Sequence, residues 1–162
     1  MLVLCLSFTI ALVDQVTKFA VRSRFMLGEH RSVIPGFFDL RFIQNTGAAW
    51  GILSGLNHWL ILFSLLMLGV ILVFRRHFIT DDLSSRLALG LIIGGIVGNL
   101  VDRIRLSYVV DFLDFYIGRH HFPAFNVADA SICVGVGLYV VFHVLHEPGE
   151  PEREGSGAGP GA

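Results

Sequence analysis

The sequence predicts an α-helical integral membrane protein: four transmembrane helices with a small β-element on the outer face. Three observations carry this expectation. Hydrophobic residues make up 54% of the 162-residue chain and charged residues only 15%, where a soluble domain carries roughly 25% charged. Mean hydropathy is +0.69. The apolar residues also collect in four windows near the length of about 20 residues that a spanning helix needs. Together these exclude a disordered chain and an ordinary soluble domain. Net charge is -1, so no basic field points to nucleic acid.

The first window runs from Met1 to about Phe19 and is interrupted late by Asp14 and Lys18. It has no basic n-region and no small-residue cleavage pattern after it, so it reads as a span and not as a signal peptide. The second is His58 to Phe74. The third, Leu87 to Val101, carries Gly90, Gly94, Gly95 and Gly98. The fourth is about Asn126 to Leu145, with Gly135 and Gly137. Small residues in the last two let helices approach closely. Residues 1–146 are expected to form one membrane domain. Residues 147–162 are rich in Glu, Gly and Pro, and are expected to be a disordered cytoplasmic tail.

The short link between the second and third windows carries Arg75, Arg76 and Arg86. It is the most basic by density, which places it in the cytoplasm. Both termini are then cytoplasmic and both long links face outward. In the first long link, Phe37 to Ile43 alternates as a strand does. Phe38, Leu40 and Phe42 fall on one side, Asp39 and Arg41 on the other. Aromatic residues of this element are expected at the membrane interface.

The polar residues then converge on one level. At 1.5 Å per residue, Asp14 lies roughly 20 Å along the first span and Asn99 about 18 Å along the third. Asp102 and Arg103 follow within a turn. The fourth span runs back inward, so its start, Asn126 to Asp129, is also outer. Asn45-Thr46-Gly47-Ala48-Ala49-Trp50-Gly51 lies in one outer link, Asp111 and Asp114 in the other. Ionisable groups near a bilayer are functional candidates by default.

Each has a plainer reading. Asp14 and Lys18 are spaced i, i+4, and a helix-surface ion pair is the favoured role for them. Asn126 and Asp129 fit a helix cap with a dipole-favoured acid. That explains Asn126 better than it explains a carboxylate at a membrane edge. Asp102 and Arg103 either mark the helix exit at the headgroups or share a functional face with Asn99. Of Asp111 and Asp114, one is expected to face water and the other a cleft; spacing leaves open which.

No Ser-His-Asp order, phosphate loop or H-E-x-x-H occurs. Cys5 and Cys133 give neither a disulfide framework nor metal spacing, and the seven histidines form no H-x-x-x-H pair. Neither metal nor cofactor is expected. Two carboxylates from different segments can instead share one proton, because like charges a few ångströms apart do not both ionise cheaply. The ionised one takes a proton from water. The protonated one hydrogen-bonds a scissile carbonyl and later supplies a proton to the leaving amine.

Five blocks, in order, resemble the lipoprotein signal peptidase (signal peptidase II) family. They are Asp14-Gln15-Val16-Thr17-Lys18, the Asn45–Gly51 segment, Gly98-Asn99-Leu100-Val101-Asp102-Arg103, Val109-Val110-Asp111-Phe112, and Phe125-Asn126-Val127-Ala128-Asp129. The resemblance covers about residues 1 to 145. It implies a metal-free aspartyl endopeptidase of the bacterial inner membrane. Such an enzyme removes the signal peptide from diacylglyceryl-modified prolipoproteins, cutting just before the lipidated cysteine. By motif, the dyad is Asp111 and Asp129. Asn45, Asn99, Arg103 and Asn126 match the polar lining around substrate, and Asp14 and Asp102 match supporting acids. Asp102 is the rival for one dyad position. The resemblance also implies membrane lipid as a partner and inhibition by globomycin-type cyclic peptides; a monomer is expected. Rival classes are a small transporter using Asp14, Asp102 and Asp129 as a relay, and a non-catalytic scaffold. The inner halves of the windows lack acids, which breaks any continuous path. A scaffold leaves the convergence of acids and amides unexplained.

Overall fold

Helix α1 runs from Leu2 to Arg24, well past the expected end at Phe19. Its pattern is inverted relative to a soluble helix. Ser7, Asp14, Lys18 and Val21 are buried, while Leu4, Phe8, Leu12, Val16 and Phe19 are exposed. Asp14 and Lys18 therefore do not interrupt the helix, because they turn inward and the apolar side chains face out. The structure is a computed structural model, and it describes residues 1–48, 52–74 and 82–145. The tail assigned to residues 147–162, the Arg75–Arg76 link and residues 49–51 lie outside the described residues.

Three further helices are described: α2 (Asn57–Val73), α3 (Leu83–Leu106) and α4 (Val127–Leu145). Helices α1 and α3 are each long and apolar enough to cross a membrane; α2 and α4 contain shorter apolar stretches. Helix α3 exceeds its expected limits of Leu87 and Val101 at both ends. At the start, the Asp82 carboxylate accepts the N–H groups of Ser84 and Ser85 at 2.6 and 3.1 Å, an N-cap that satisfies otherwise orphaned donors. At the end, Ser107 stops it in a left-handed conformation, φ 66°. Asn126 precedes α4 and is not part of it, for a reason given below.

Helix α3 is the centre of the bundle, packed between α1 and α4. Glycines permit this, Gly95 and Gly98 among them. A Cβ on Gly95 would collide with the Ala128 carbonyl oxygen of α4, and one on Gly98 would sit 2.7 Å from the Asp14 carboxylate of α1. Only a missing side chain lets both neighbours approach the same helix.

The β-element is a four-stranded antiparallel sheet in the order β1-β2-β3-β4. The strands are β1 (His30–Ile34), β2 (Phe38–Asn45), β3 (Val109–Ile117) and β4 (His120–His121). The expected strand at Phe37 to Ile43 is present as β2, but its simple alternation is not. Asp39 and Phe42 are both buried, because the register with β3 shifts between Leu40 and Ile43. An extra residue at such a bulge exchanges the two faces. The shift sets Asp39 opposite Asp114 and Ile43 opposite Asp111. The sheet rests on a small apolar core of Val21, Phe42, Val110 and Phe112, with Phe25, Leu106 and Val127 packed around it. It is thereby seated on the end of the bundle where Asn99, Asp102 and Asn126 lie.

Candidate active site

The site is built outward from the start of α4. Asn126 Oδ1 accepts the Asp129 N–H at 3.0 Å, and Asp129 Oδ2 accepts the Asn126 N–H at 3.2 Å. This is a reciprocal cap of the capping-box kind. It holds Asn126 outside the helix and fixes its amide: with the oxygen committed to the cap, the Nδ2 group must point the other way. It donates to Asp111 Oδ1 at 2.8 Å. The same group also reaches Asn99 Oδ1 at 3.2 Å and the Val110 carbonyl at 3.3 Å. The capping role expected for Asn126 is thus correct, and the same side chain links the two acids.

Asp111 sits on β3 with its side chain buried. Its second oxygen accepts Asn45 Nδ2 from the facing end of β2 at 2.9 Å. Asn45 is itself held by the Gly47 N–H, which its Oδ1 accepts at 2.9 Å. Burial, followed by the negative charge of Asp129, pushes the Asp111 carboxyl up to about 7, although the Asn45 and Asn126 donors and the Lys18 cation pull the other way. Asp129 accepts Asn99 Nδ2 at 2.7 Å. Every oxygen of both carboxylates therefore meets an N–H donor.

Behind the pair lies a buried charge cluster. Lys18 Nζ contacts Asp14 at 2.9 Å, Asp102 at 3.1 Å and Asn99 Oδ1 at 2.9 Å. The expectation of a helix-surface pair is corrected: Asp14 is 0% and Lys18 2% exposed. An ammonium only donates, so Lys18 turns the Asn99 oxygen toward itself and its Nδ2 toward Asp129. Asp14 Oδ1 accepts the Ala128 N–H at 2.9 Å, and Asp102 Oδ2 accepts the Val110 N–H at 3.0 Å. Gln15 Nε2 donates to Asp102 Oδ1 at 3.0 Å. Both oxygens of Asp102 are engaged in this brace. The reading of Asp102 and Arg103 as the helix exit is also corrected, since α3 continues to Leu106. Arg103 donates to the Gly47 carbonyl at 3.2 Å. Its guanidinium lies within electrostatic reach of Asp129, Asp111 and Asp102.

An open groove of about 500 Å³ runs along the sheet from Asn45 and Asp111 to Arg41, Asp114 and His121. The expectation that one of Asp111 and Asp114 faces water is corrected. Both are buried, and Asp114 is covered by His121 at 2.9 Å and Arg41 at 3.7 Å. Sequence reasoning missed Gln15, Asn57, Arg41 and His121. Gln15 stood inside a quoted block. Asn57 donates to the Arg103 carbonyl at 3.1 Å across 46 residues, and no local spacing signals such a contact. Among the described residues, no three His, Cys, Asp or Glu side chains form a set able to hold a metal ion.

Comparison with known proteins adds an independent line. The family described as signal peptidase (SPase) II matches residues 6–145. The lipoprotein signal peptidase of Symbiobacterium thermophilum is 44% identical over 147 residues, covering 91% of this chain and 97% of that protein. That of Maridesulfovibrio salexigens is 42% identical over 141 residues, covering 84% and 90%. A solved structure titled as a bacterial membrane enzyme at 2.3 Å resolution superposes with a TM-score of 0.83. It is 33% identical, covering 94% of this chain and 93% of that one.

Proposed function

The chain belongs to the lipoprotein signal peptidase (signal peptidase II) family, and from that premise we propose that it is an aspartyl endopeptidase acting on diacylglyceryl-modified prolipoproteins. Membership supports a membrane protease that removes signal peptides from prolipoproteins. The finer reading is that cleavage falls just before the lipidated cysteine and that Asp111 and Asp129 form the dyad. The four described helices then span the inner membrane, with both termini cytoplasmic and the site toward the outer face. The enzyme works as a monomer, without cofactor, and is inhibited by globomycin-type peptides.

One observation carries the dyad assignment. Asn126 caps α4 through Asp129 and donates to Asp111, so one buried amide couples two carboxylates, of which Asp111 lines the groove. The asymmetry in charge assigns the roles. Asp111, pushed up to about 7, is the better candidate to hold the proton, which leaves Asp129 as the base. Asp129 takes a proton from water as the oxygen attacks the scissile carbonyl carbon. Asp111 directs its proton to the carbonyl oxygen as negative charge develops there. When the C–N bond breaks, the leaving amine takes one of the two protons. The pair is left with one, as it began. Arg103 balances charge beside the pair. The apolar bilayer surroundings limit water and strengthen these interactions.

The test is a mobility-shift cleavage assay with purified protein and a diacylglyceryl-modified prolipoprotein. Wild type is expected to cleave. Asp111→Asn and Asp129→Asn are expected to fold and not cleave, while Asp102→Asn retains residual activity. Substantial turnover by either of the first two removes that residue from the dyad. A folded wild type that fails where a control peptidase succeeds removes the peptidase reading.

A further inference from the structure

The groove does not end at Asp111. Three positions along β3 from Asp111, the buried Asp114 carboxylate also lines it, flanked by Arg41 of β2 and His121 of β4. His121 Nδ1 lies 2.9 Å from Asp114 Oδ1. Arg41 approaches from the other side, its NH1 3.7 Å from Asp114 Oδ2, which is too long for a hydrogen bond. Arg41 Nε is buried and has no hydrogen-bond partner among the described residues. A buried donor without an acceptor is costly and calls for an explanation. The guanidinium is charge-matched by Asp114 yet loosely held, and it stands at a groove that leads to Asp111.

We propose that Arg41, charge-matched by Asp114, is a substrate-binding residue that donates to a main-chain carbonyl of the mature lipoprotein segment downstream of the lipidated cysteine. The inference rests on the peptidase reading and deepens it. The polarity of the groove argues for that side of the scissile bond. The signal peptide is an apolar helix that stays in the bilayer beside the spans. The mature chain is polar and leads away from it, and this end of the groove is built on the sheet from charged side chains. A neutral carbonyl fits better than a substrate carboxylate, because the Arg41 charge is already answered by Asp114. Distance sets the position. Three strand residues span about 10 Å at 3.3 Å each, so an extended substrate reaches Arg41 about three residues past the cut. A carbonyl contact also makes the subsite indifferent to side-chain identity there.

The experiment is a thermodynamic cycle on substrate length. Two diacylglyceryl-modified substrates share a signal peptide; one ends as an amide at the lipidated cysteine and the other continues for five residues. Arg41→Met keeps the apolar stem and removes the donors. It is expected to raise KM for the longer substrate by about tenfold, the scale of one charge-assisted hydrogen bond, with kcat nearly unchanged. The shorter substrate is expected to show no change. Arg41→Lys keeps the charge beside Asp114 and is expected to give a smaller KM rise confined to the longer substrate. It decides the matter if Arg41→Met does not fold. Arg31→Met, at an exposed arginine outside the groove, is expected to leave both substrates unaffected. Equal effects on both substrates, or none on either, overturn the proposal. An active wild type with an indifferent Arg41 variant removes this subsite alone, whereas an inert folded wild type removes the peptidase reading and the subsite with it.

Discussion

Asn45→Ala tests the assignment of the proton to Asp111. The wild-type side chain donates to Asp111 Oδ2 at 2.9 Å, a bond that favours the ionised form. Removing it leaves the charged carboxylate with one amide donor, from Asn126, so its proton is held more tightly. A hydrogen bond to a charged group is worth about 1.5–3 kcal/mol, and one pKa unit corresponds to about 1.36 kcal/mol. Asn45 is only half-buried, so water replaces part of the lost bond, and the shift expected is about one unit upward. The sign then follows. In the proposed mechanism activity requires Asp111 protonated and falls as pH rises through its acidity, about 7 in the wild type. In the variant the descending limb moves to about 8. At pH 8 about a tenth of wild-type Asp111 keeps its proton and about half of the variant's does. Relative to its own plateau, the variant therefore retains about fivefold more activity there. The assay is kcat/KM for prolipoprotein cleavage between pH 5 and 9, with folding checked by thermal melting at each end. A limb that stays in place, or moves down, refutes the proton assignment even if the absolute rate falls.

The other predictions concern the scaffold. Lys18→Met leaves Asp14 and Asp102 buried without their cation and is expected to destabilise the fold by about 3–5 kcal/mol, seen as a large drop in melting temperature in detergent. Gly95→Ala sets a Cβ against the Ala128 carbonyl, a backbone atom that cannot step aside; about 1–3 kcal/mol of destabilisation is expected. Gly69→Ala in α2 meets nothing within 4 Å and should instead stabilise by up to about 1 kcal/mol; the same melt comparison checks both. Ser107→Gly relieves a left-handed residue and is expected to add about 1 kcal/mol.

The depth of the polar residues was legible because helix rise is a fixed length. Counting along the first and third windows was enough to bring Asp14, Asn99 and Asp102 to one level. The ends of the helices were less legible, since they depend on caps. The Asp82 carboxylate and left-handed Ser107 carry α3 beyond its apolar stretch at both ends. The sheet was legible only at β2. In Val109-Val110-Asp111-Phe112-Leu113-Asp114-Phe115 the acids are three apart, a spacing that suits a helix better than a strand, and only pairing with β2 across the bulge identifies β3. The spacing of Asp14 and Lys18 was read correctly as i, i+4 but assigned to the wrong surface. A surface helix with polar residues outward is the soluble rule, and α1 inverts it. Arg41 and His121 gave no signal at all, because each acquires meaning only through Asp114, on a different strand.

The buried cluster explains how two acids from separate segments come to one place. Asp14 accepts the N–H of Ala128, the residue just before Asp129. Asp102 accepts the N–H of Val110, the residue just before Asp111. Asp14 and Asp102 thus each hold the backbone one step upstream of an acid of the proposed dyad. Lys18 sits between them, bonded to both carboxylates, so one cation joins the start of α4 to the start of β3. Its third contact, to Asn99 Oδ1, orients the amide that donates to Asp129. Charges this deep are expensive to bury, and a well-packed apolar cluster would hold the helices together at least as firmly. An apolar cluster could not accept two specific backbone N–H groups or determine which end of an amide faces the site. The cost of burying Asp14, Lys18 and Asp102 is therefore best understood as the cost of fixing direction: two backbone segments and one amide are each held in a single orientation.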